Sequence, residues 1–185
     1  MKKFARALAI SAVVSLAAPV IAQAANPMVG GAPMYATKNI VENAVNSKDH
    51  TTLVAAVKAA GLVKTLQSPG PFTVFAPVNK AFDALPKGTV ETLLKPENKK
   101  MLTKILTCHV VSTKALSGAI KKMIADDGGA HVVKTVGGCK FTVMQKKGKI
   151  QIKDEKGDVA TVTIADVKQS NGVIHVIDKV LLPAS

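Results

Sequence analysis

Gly70-Pro-Phe-Thr-Val-Phe-Ala-Pro-Val-Asn-Lys-Ala-Phe82 is the stretch on which the reading of the chain turns. It holds three of the five phenylalanines in 185 residues, so a core is expected to gather around it. Gly70-Pro71 signals a turn, and Phe72-Thr-Val-Phe75 has the aromatic and β-branched composition of a strand. Pro77 cannot donate a ladder hydrogen bond and is expected to end that strand. Asn79 stands where the N-cap of a helix opened by Lys80-Ala-Phe82 belongs. A buried strand turning into a short helix, with Phe75 and Phe82 packed on either side of the corner, is a core-building device. Nothing in it reads as a reactive site.

Upstream of this corner the periodicity is helical. Asn39 to Val45 sets Ile40, Val41, Ala44 and Val45 at helical spacing. A second helix from about His50 to Ala60 carries Leu53, Val54, Val57 and Ala60 on one face. Gly61 follows as a left-handed stop, with Leu62 placed to pack back on the last turn. Residues 25–36 are small, polar and rich in Gly and Pro. They are expected to form a flexible N-terminal arm from which Met34 and Tyr35 can dock.

Residues 1–24 read as a signal peptide. Lys2, Lys3 and Arg6 precede an apolar run, and Ala22-Gln23-Ala24 matches an A-x-A cleavage site, so cleavage is predicted after Ala24. The run is short and broken by Pro19, which disfavours a membrane span, and no later segment is apolar for long enough. The expected location is periplasmic or secreted.

Downstream, Thr89 is placed to cap a helix ending at Leu94. Pro96 opens a longer one with Met101, Leu102, Ile105 and Leu106 on its apolar face. Cys108-His-Val-Val111 reads as a short buried strand. Lys114 to Ile124 sustains a helical stripe through Ala115, Leu116, Ile120 and Met123, stopped by Asp126-Asp-Gly-Gly129. There the period switches to two, giving strands His131–Val136, Cys139–Met144, Lys149–Lys153 and Val159–Ile164 separated by glycine turns. Val173 to Leu182 carries so few polar residues that it should be central and buried on both faces. Helices first and antiparallel strands later give an α+β domain.

The formal net charge is +13. Losing the leader's two lysines and one arginine leaves 22 lysines against 12 acidic residues, a net of +10, with no arginine at all. Without the guanidinium fork, specific nucleic-acid readout is disfavoured. A lysine-only surface fits solubility and loose attraction to anionic polymers. Aromatic content of 3% also leaves too few rings for a base-stacking platform.

Cys108 and Cys139 enter an oxidising compartment if the leader is used. A bond between them closes a loop worth roughly 3 to 4 kcal/mol of unfolded-state entropy. The alternative is two separate buried thiols filling small apolar gaps. His50, His109, His131 and His175 are scattered without ligand spacing, so no metal site and no cofactor are expected. The sequence also holds no Gly-x-Ser-x-Gly and no phosphate loop. An enzyme is not expected.

Two boxes resemble the signatures of the fasciclin domain family. Phe72-Thr-Val-Phe-Ala-Pro-Val-Asn-Lys-Ala-Phe82 is similar to the first, and Asn171-Gly-Val-Ile-His-Val-Ile-Asp-Lys-Val-Leu-Leu-Pro183 to the second. Leu106-Thr-Cys-His-Val-Val111 lies between them, where the family has a Tyr-His pair. The resemblance covers residues 37–183. It implies a fasciclin-like β-wedge of short, mostly antiparallel strands flanked by helices, in secreted or surface proteins of adhesion and cell contact. Cys108-His109 stands in place of Tyr-His, and Asp166-Val167 in place of the family's Asp-Ile element. In animal relatives these two elements are linked to integrin binding. Here the tyrosine ring is missing and Lys168 and Gln169 flank the acid, so only the location of a surface is carried over.

His109, Asp166, Val167 and Asn171 are therefore the candidate binding residues, each with a structural alternative. His109 fits a partner patch near Asp166, or a core imidazole bonded to backbone. Asp166 fits an exposed recognition residue, or a cap on its own turn. Asn171-Gly172 is expected to form the turn delivering the last strand. His175, with Phe72, Phe75, Pro77, Asn79 and Phe82, is assigned to the structural motif.

The function this supports is an exported, non-enzymatic adhesion or interaction module whose partner is a protein or glycan at a cell surface. The competing reading is a carrier of an apolar small molecule such as a carotenoid or lipid, in a groove opened near Met101, Leu116 and Met123.

Overall fold

A computed structural model describes residues 26–184. The predicted leader, residues 1–24, lies outside the described residues. The chain begins with a small hairpin of β1 (Met28–Val29) and β2 (Ala32–Pro33). Helix α1 (Ile40–Ala44) follows, then a 3-10 turn (Lys48–His50), α2 (Thr51–Ala60) and α3 (Val63–Gln67). Strand β3 (Phe72–Pro77) leads into α4 (Asn79–Asp83), α5 (Thr89–Leu94) and α6 (Lys99–Cys108). Next come β4 (Val110–Val111) and α7 (Ser117–Asp126). The chain closes with β5 (Ala130–Lys134), β6 (Lys140–Lys146), β7 (Lys149–Lys153), β8 (Val159–Gln169) and β9 (Gly172–Ile177).

The main sheet has seven strands in the order β4-β3-β9-β8-β7-β6-β5. Every neighbouring pair is antiparallel except β3 and β9, which run parallel with Phe72 opposite Gly172 and Pro77 opposite Ile177. The two boxes are thus the paired central strands. Both faces of this pair are covered, and alternate side chains serve different cores. Val74, Ala76, Ile174 and Val176 join the core beneath α1, α2, α3 and α6. Phe75 and Ile177 join a second core with Ile120, Phe141, Val143 and Ile152. A strand buried on both sides favours apolar residues at nearly every position, which is why the last strand reads as an apolar run broken only by His175.

The edges β4 and β5 approach each other at one end, closing the sheet toward a barrel. The Val136 amide donates to the Val110 carbonyl at 2.8 Å and the Gly137 amide to the Thr107 carbonyl at 3.0 Å. Cys108, at the end of α6, is disulfide-bonded to Cys139, with the Cα atoms 5.4 Å apart. The clamp ties the helical half of the chain to the strand-rich half.

Several boundaries differ from the sequence reading. Residues 26–36 are not a loose arm: the hairpin buries Val29, and Met34 is only 2% exposed. Two apolar side chains in a Gly-rich stretch are enough to dock it. Helix α3 lies where no helix is predicted; Leu66 is its one buried residue, so no apolar stripe marks it. Cys108 ends a helix and does not open a strand. Helix α7 begins at Ser117, three residues later than expected, and β8 runs on to Gln169 through two irregularities flanking Ile164. Gly61 behaves as read. It adopts φ 75°, and the amides of Gly61 and Leu62 donate to the carbonyls of Lys58 and Val57.

Candidate functional site

The second box and its surroundings hold most of the nominated residues, and their polar atoms are turned inward. His175 is fully buried on β9. Its Nε2 lies 2.8 Å from the Ala115 carbonyl and must donate to it, so Nδ1 is left to accept from the Asp166 amide at 3.3 Å. The ring stacks on Phe75 with centroids 5.8 Å apart, joining the two boxes. Burial is the main cause that lowers the His175 pKa, against the Ala115 hydrogen bond and the Asp166 charge, which raise it.

Asp166 sits in the irregular part of β8 with φ 60°, a conformation that Asp tolerates better than most residues. That kink aims its carboxylate at the start of α7. There Oδ1 accepts from the Ser117 amide at 2.6 Å and Oδ2 from the Ser117 hydroxyl. A carboxylate at a helix N-terminus satisfies an orphan donor and suits the dipole. Asp166 is thus a cap on a helix far away in sequence. Val167, next to it, is 1% exposed and presents nothing to solvent.

His109 caps the end of α6 and is 2% exposed. Its Nδ1 donates to the Ile105 carbonyl at 2.8 Å, and Nε2 accepts from the Leu181 amide at 2.9 Å. Desolvation lowers its pKa to about 4, so the ring is neutral near pH 7. The imagined surface patch of His109 beside Asp166 does not form, because both nitrogens are spent on backbone inside the core.

Asn171 is an internal bracket. Its Oδ1 accepts from the Ile40 amide at 3.1 Å, and Nδ2 donates to the Leu66 and Ser68 carbonyls at 2.8 and 3.0 Å. Its own carbonyl accepts from the Phe72 amide at 3.1 Å. Gly70 approaches so closely that an added Cβ would lie 2.0 Å from that carbonyl oxygen. Asn79 departs from its expected role. Val78 occupies the N-cap of α4, and the Asn79 side chain reaches across to α2. It accepts from the Thr52 amide at 3.1 Å and donates to the Lys48 carbonyl at 2.9 Å. Phe72 is half-buried, Phe75 and Phe82 are buried, and Pro77 ends β3 opposite Ile177.

The groove expected near Met101, Leu116 and Met123 is not formed by those three residues. Met101 is 46% exposed on the outer side of α6. Met123 lines a hollow of about 230 Å³ between α7 and β5, shared with Ile120, His131 and Val133. A separate, almost wholly apolar cavity of about 60 Å³ lies between α1, α2 and α3 and the central strands. His50, which the sequence reading did not nominate as a site residue, lines it together with Ser47, Leu53, Val57, Leu66 and Ile174. The sequence reading drew no link between Ser47 and His50, and their three-residue spacing is the one local signal that could have paired them. Among the described residues, no three His, Cys, Asp or Glu side chains gather closely enough to hold a metal ion.

Residues 48–183 match the family model described as "Fasciclin domain". The chain belongs to the fasciclin family. Protein sll1483 of Synechocystis sp. is 44% identical over 191 residues, covering 99% of both chains. Immunogenic protein MPB70 of Mycobacterium bovis is 34% identical over 148 residues, 76% of this chain and 66% of that protein. Transforming growth factor-beta-induced protein ig-h3 of Sus scrofa is 39% identical over 131 residues, covering 71% of this chain but 17% of that one. In structure, the FAS1 domain pair of the insect cell adhesion molecule Fasciclin I superposes with a TM-score of 0.69 at 19% identity. The match covers 78% of this chain and 51% of that chain, and confirms the fold. Fasciclin domains are secreted adhesion and interaction modules, generally non-catalytic. Among the described residues, no helix of this fasciclin domain is long and apolar enough to cross a membrane.

Proposed function

We propose that this fasciclin domain is an exported, non-enzymatic adhesion or interaction module, working in the periplasm or outside the cell through its lysine-rich exterior. The observation that carries the reading is the inward use of the nominated polar groups. His109, His175, Asn171 and Asp166 all bond within the fold. What remains for a partner is the outside, where Lys58, Lys64, Lys95, Lys99 and Lys100 are exposed. The Cys108–Cys139 bond and the leader's composition support an oxidising, extracytoplasmic location. The partner is an anionic protein or glycan of a cell surface.

The test is retention of the exported protein on immobilised cell-envelope material. Binding at low ionic strength that is lost as salt rises supports the reading, since exposed charges are screened. No retention at low salt would sink it. Recovery of the protein from periplasm or medium with Ala25 as its first residue checks export in the same preparation.

The apolar cavity favours a second reading, that of a carrier. The pocket lies under α1, α2 and α3, away from the methionines first assigned to it. In its present form it is smaller than the ~150 Å³ that accommodates one benzene, so a long ligand can insert only one end.

A further inference from the structure

The cavity beneath α1, α2 and α3 has one polar feature that the fold does not use. His50 is 3% exposed and lines it, and its Nε2 has no hydrogen-bond partner among the described residues. The Ala76 carbonyl acts on the ring without a bond of good geometry, and burial is the larger influence, holding the imidazole below its ordinary pKa and hence neutral near pH 7. The tautomer follows from the other nitrogen. Nδ1 lies 2.8 Å from the Ser47 hydroxyl, which has no other acceptor for its proton among the described residues. Ser47 therefore donates to Nδ1, and the ring proton sits on Nε2. A buried N–H with only the poorly placed Ala76 carbonyl nearby is under-satisfied, a state that a bound acceptor can relieve.

We infer that this cavity is a binding site for a neutral, apolar molecule bearing one carbonyl oxygen, which accepts a hydrogen bond from His50 Nε2 while its hydrocarbon part lies against Leu53, Val57 and Ile174. The inference rests on the carrier reading and adds to it the site and the chemical class. A carboxylate fits poorly at His50, since the ring offers no positive charge and the apolar walls would strip the anion of water. The half-buried rim formed by Val41 and Ala44 of α1 and Val54 of α2 leaves a route by which a longer chain can trail outward. Free small ketones and the end of a long-chain lipid share this chemistry.

The experiment titrates the exported chain with 2-butanone, small enough to suit the cavity, and with 2-methyl-1-butene, in which C=CH2 replaces C=O. It follows the methyl groups of Leu53 and Val57 and the His50 ring proton by NMR. Both probes are expected to move the methyls, and only the ketone to move the Nε2–H resonance. His50→Phe should weaken the ketone about tenfold relative to the alkene, the scale of a hydrogen bond to an otherwise unsatisfied donor. If both probes bind but the ring proton stays still and the ratio is unchanged in the variant, the role of His50 is overturned and the carrier reading survives. If neither probe moves the cavity methyls, both fall. A longer methyl ketone, 2-pentadecanone, separates the sources. Tighter binding with shifts at Val41 and Val54 assigns the site to a chain end, and tighter binding of the short ketone assigns it to a free small molecule.

Discussion

His109 ties one side chain to the pH range in which the protein survives. In the unfolded chain its pKa is near the ordinary 6.5, whereas in the native core it is about 4. Between those values the unfolded chain takes up a proton that the folded one refuses. Stability is therefore full above 6.5, falls as pH drops through the window and levels off near 4. A shift of this size corresponds to at most about 3 kcal/mol. His50 and His175 are displaced in the same direction by burial and add to the loss. The melting temperature should thus drop between pH 7 and pH 4.5, and a flat profile over that range would contradict the buried, neutral imidazoles. Asn171 is the other residue with consequences out of proportion to its size. Asn171→Ala leaves the Ile40 amide and two carbonyls without partners and should cost about 2 to 4 kcal/mol in urea unfolding.

At the level of elements, α7 is held at its start by an acid from a strand 49 residues further on. Asp166→Ala should fray that start, costing about 1 to 2 kcal/mol, while Asp166→Asn keeps an acceptor and the left-handed preference and costs less. Amide exchange at Ser117 to Ile120 reads this directly, with faster exchange expected in the alanine variant alone. The same example marks what a sequence shows and hides. Phe72–Phe82 and Val173–Ile177 announce themselves, because a strand buried on two faces admits little but Val, Ile and Phe. Lys149–Lys153 is bounded correctly because glycine turns flank a clean alternation. The partners of Asp166, Asn79 and Asn171 lie 49, 27 and up to 131 residues away, and no local pattern encodes such distances. Asn79 looks like a cap for its own helix and caps its neighbour. The cavity leaves no mark in the sequence either, since it is the space that several helices fail to fill. Leu53, Val54 and Val57 read as the apolar face of a helix, and nothing in them tells a filled interior from a hollow one.

For the molecule as a whole, the disulfide is the device that joins α6 to the turn between β5 and β6. Its two ends are 31 residues apart, and removing it through Cys108→Ala with Cys139→Ala should lower unfolding free energy by about 3 to 4 kcal/mol. Denaturant titration of the variant beside the parent measures this. An unchanged midpoint would mean that the hydrogen bonds from Val136 and Gly137 already hold that end shut.

The parallel pairing of β3 with β9 has a bearing on how the protein is born. The strand at Phe72 has no lasting neighbour on that side until Gly172 has been made and delivered. A ribosome that has finished only the helical half therefore holds a chain whose core is still open to water. Closing the core waits for the tail. Chains cut short before Gly172 should accordingly be digested by proteases that spare the finished protein.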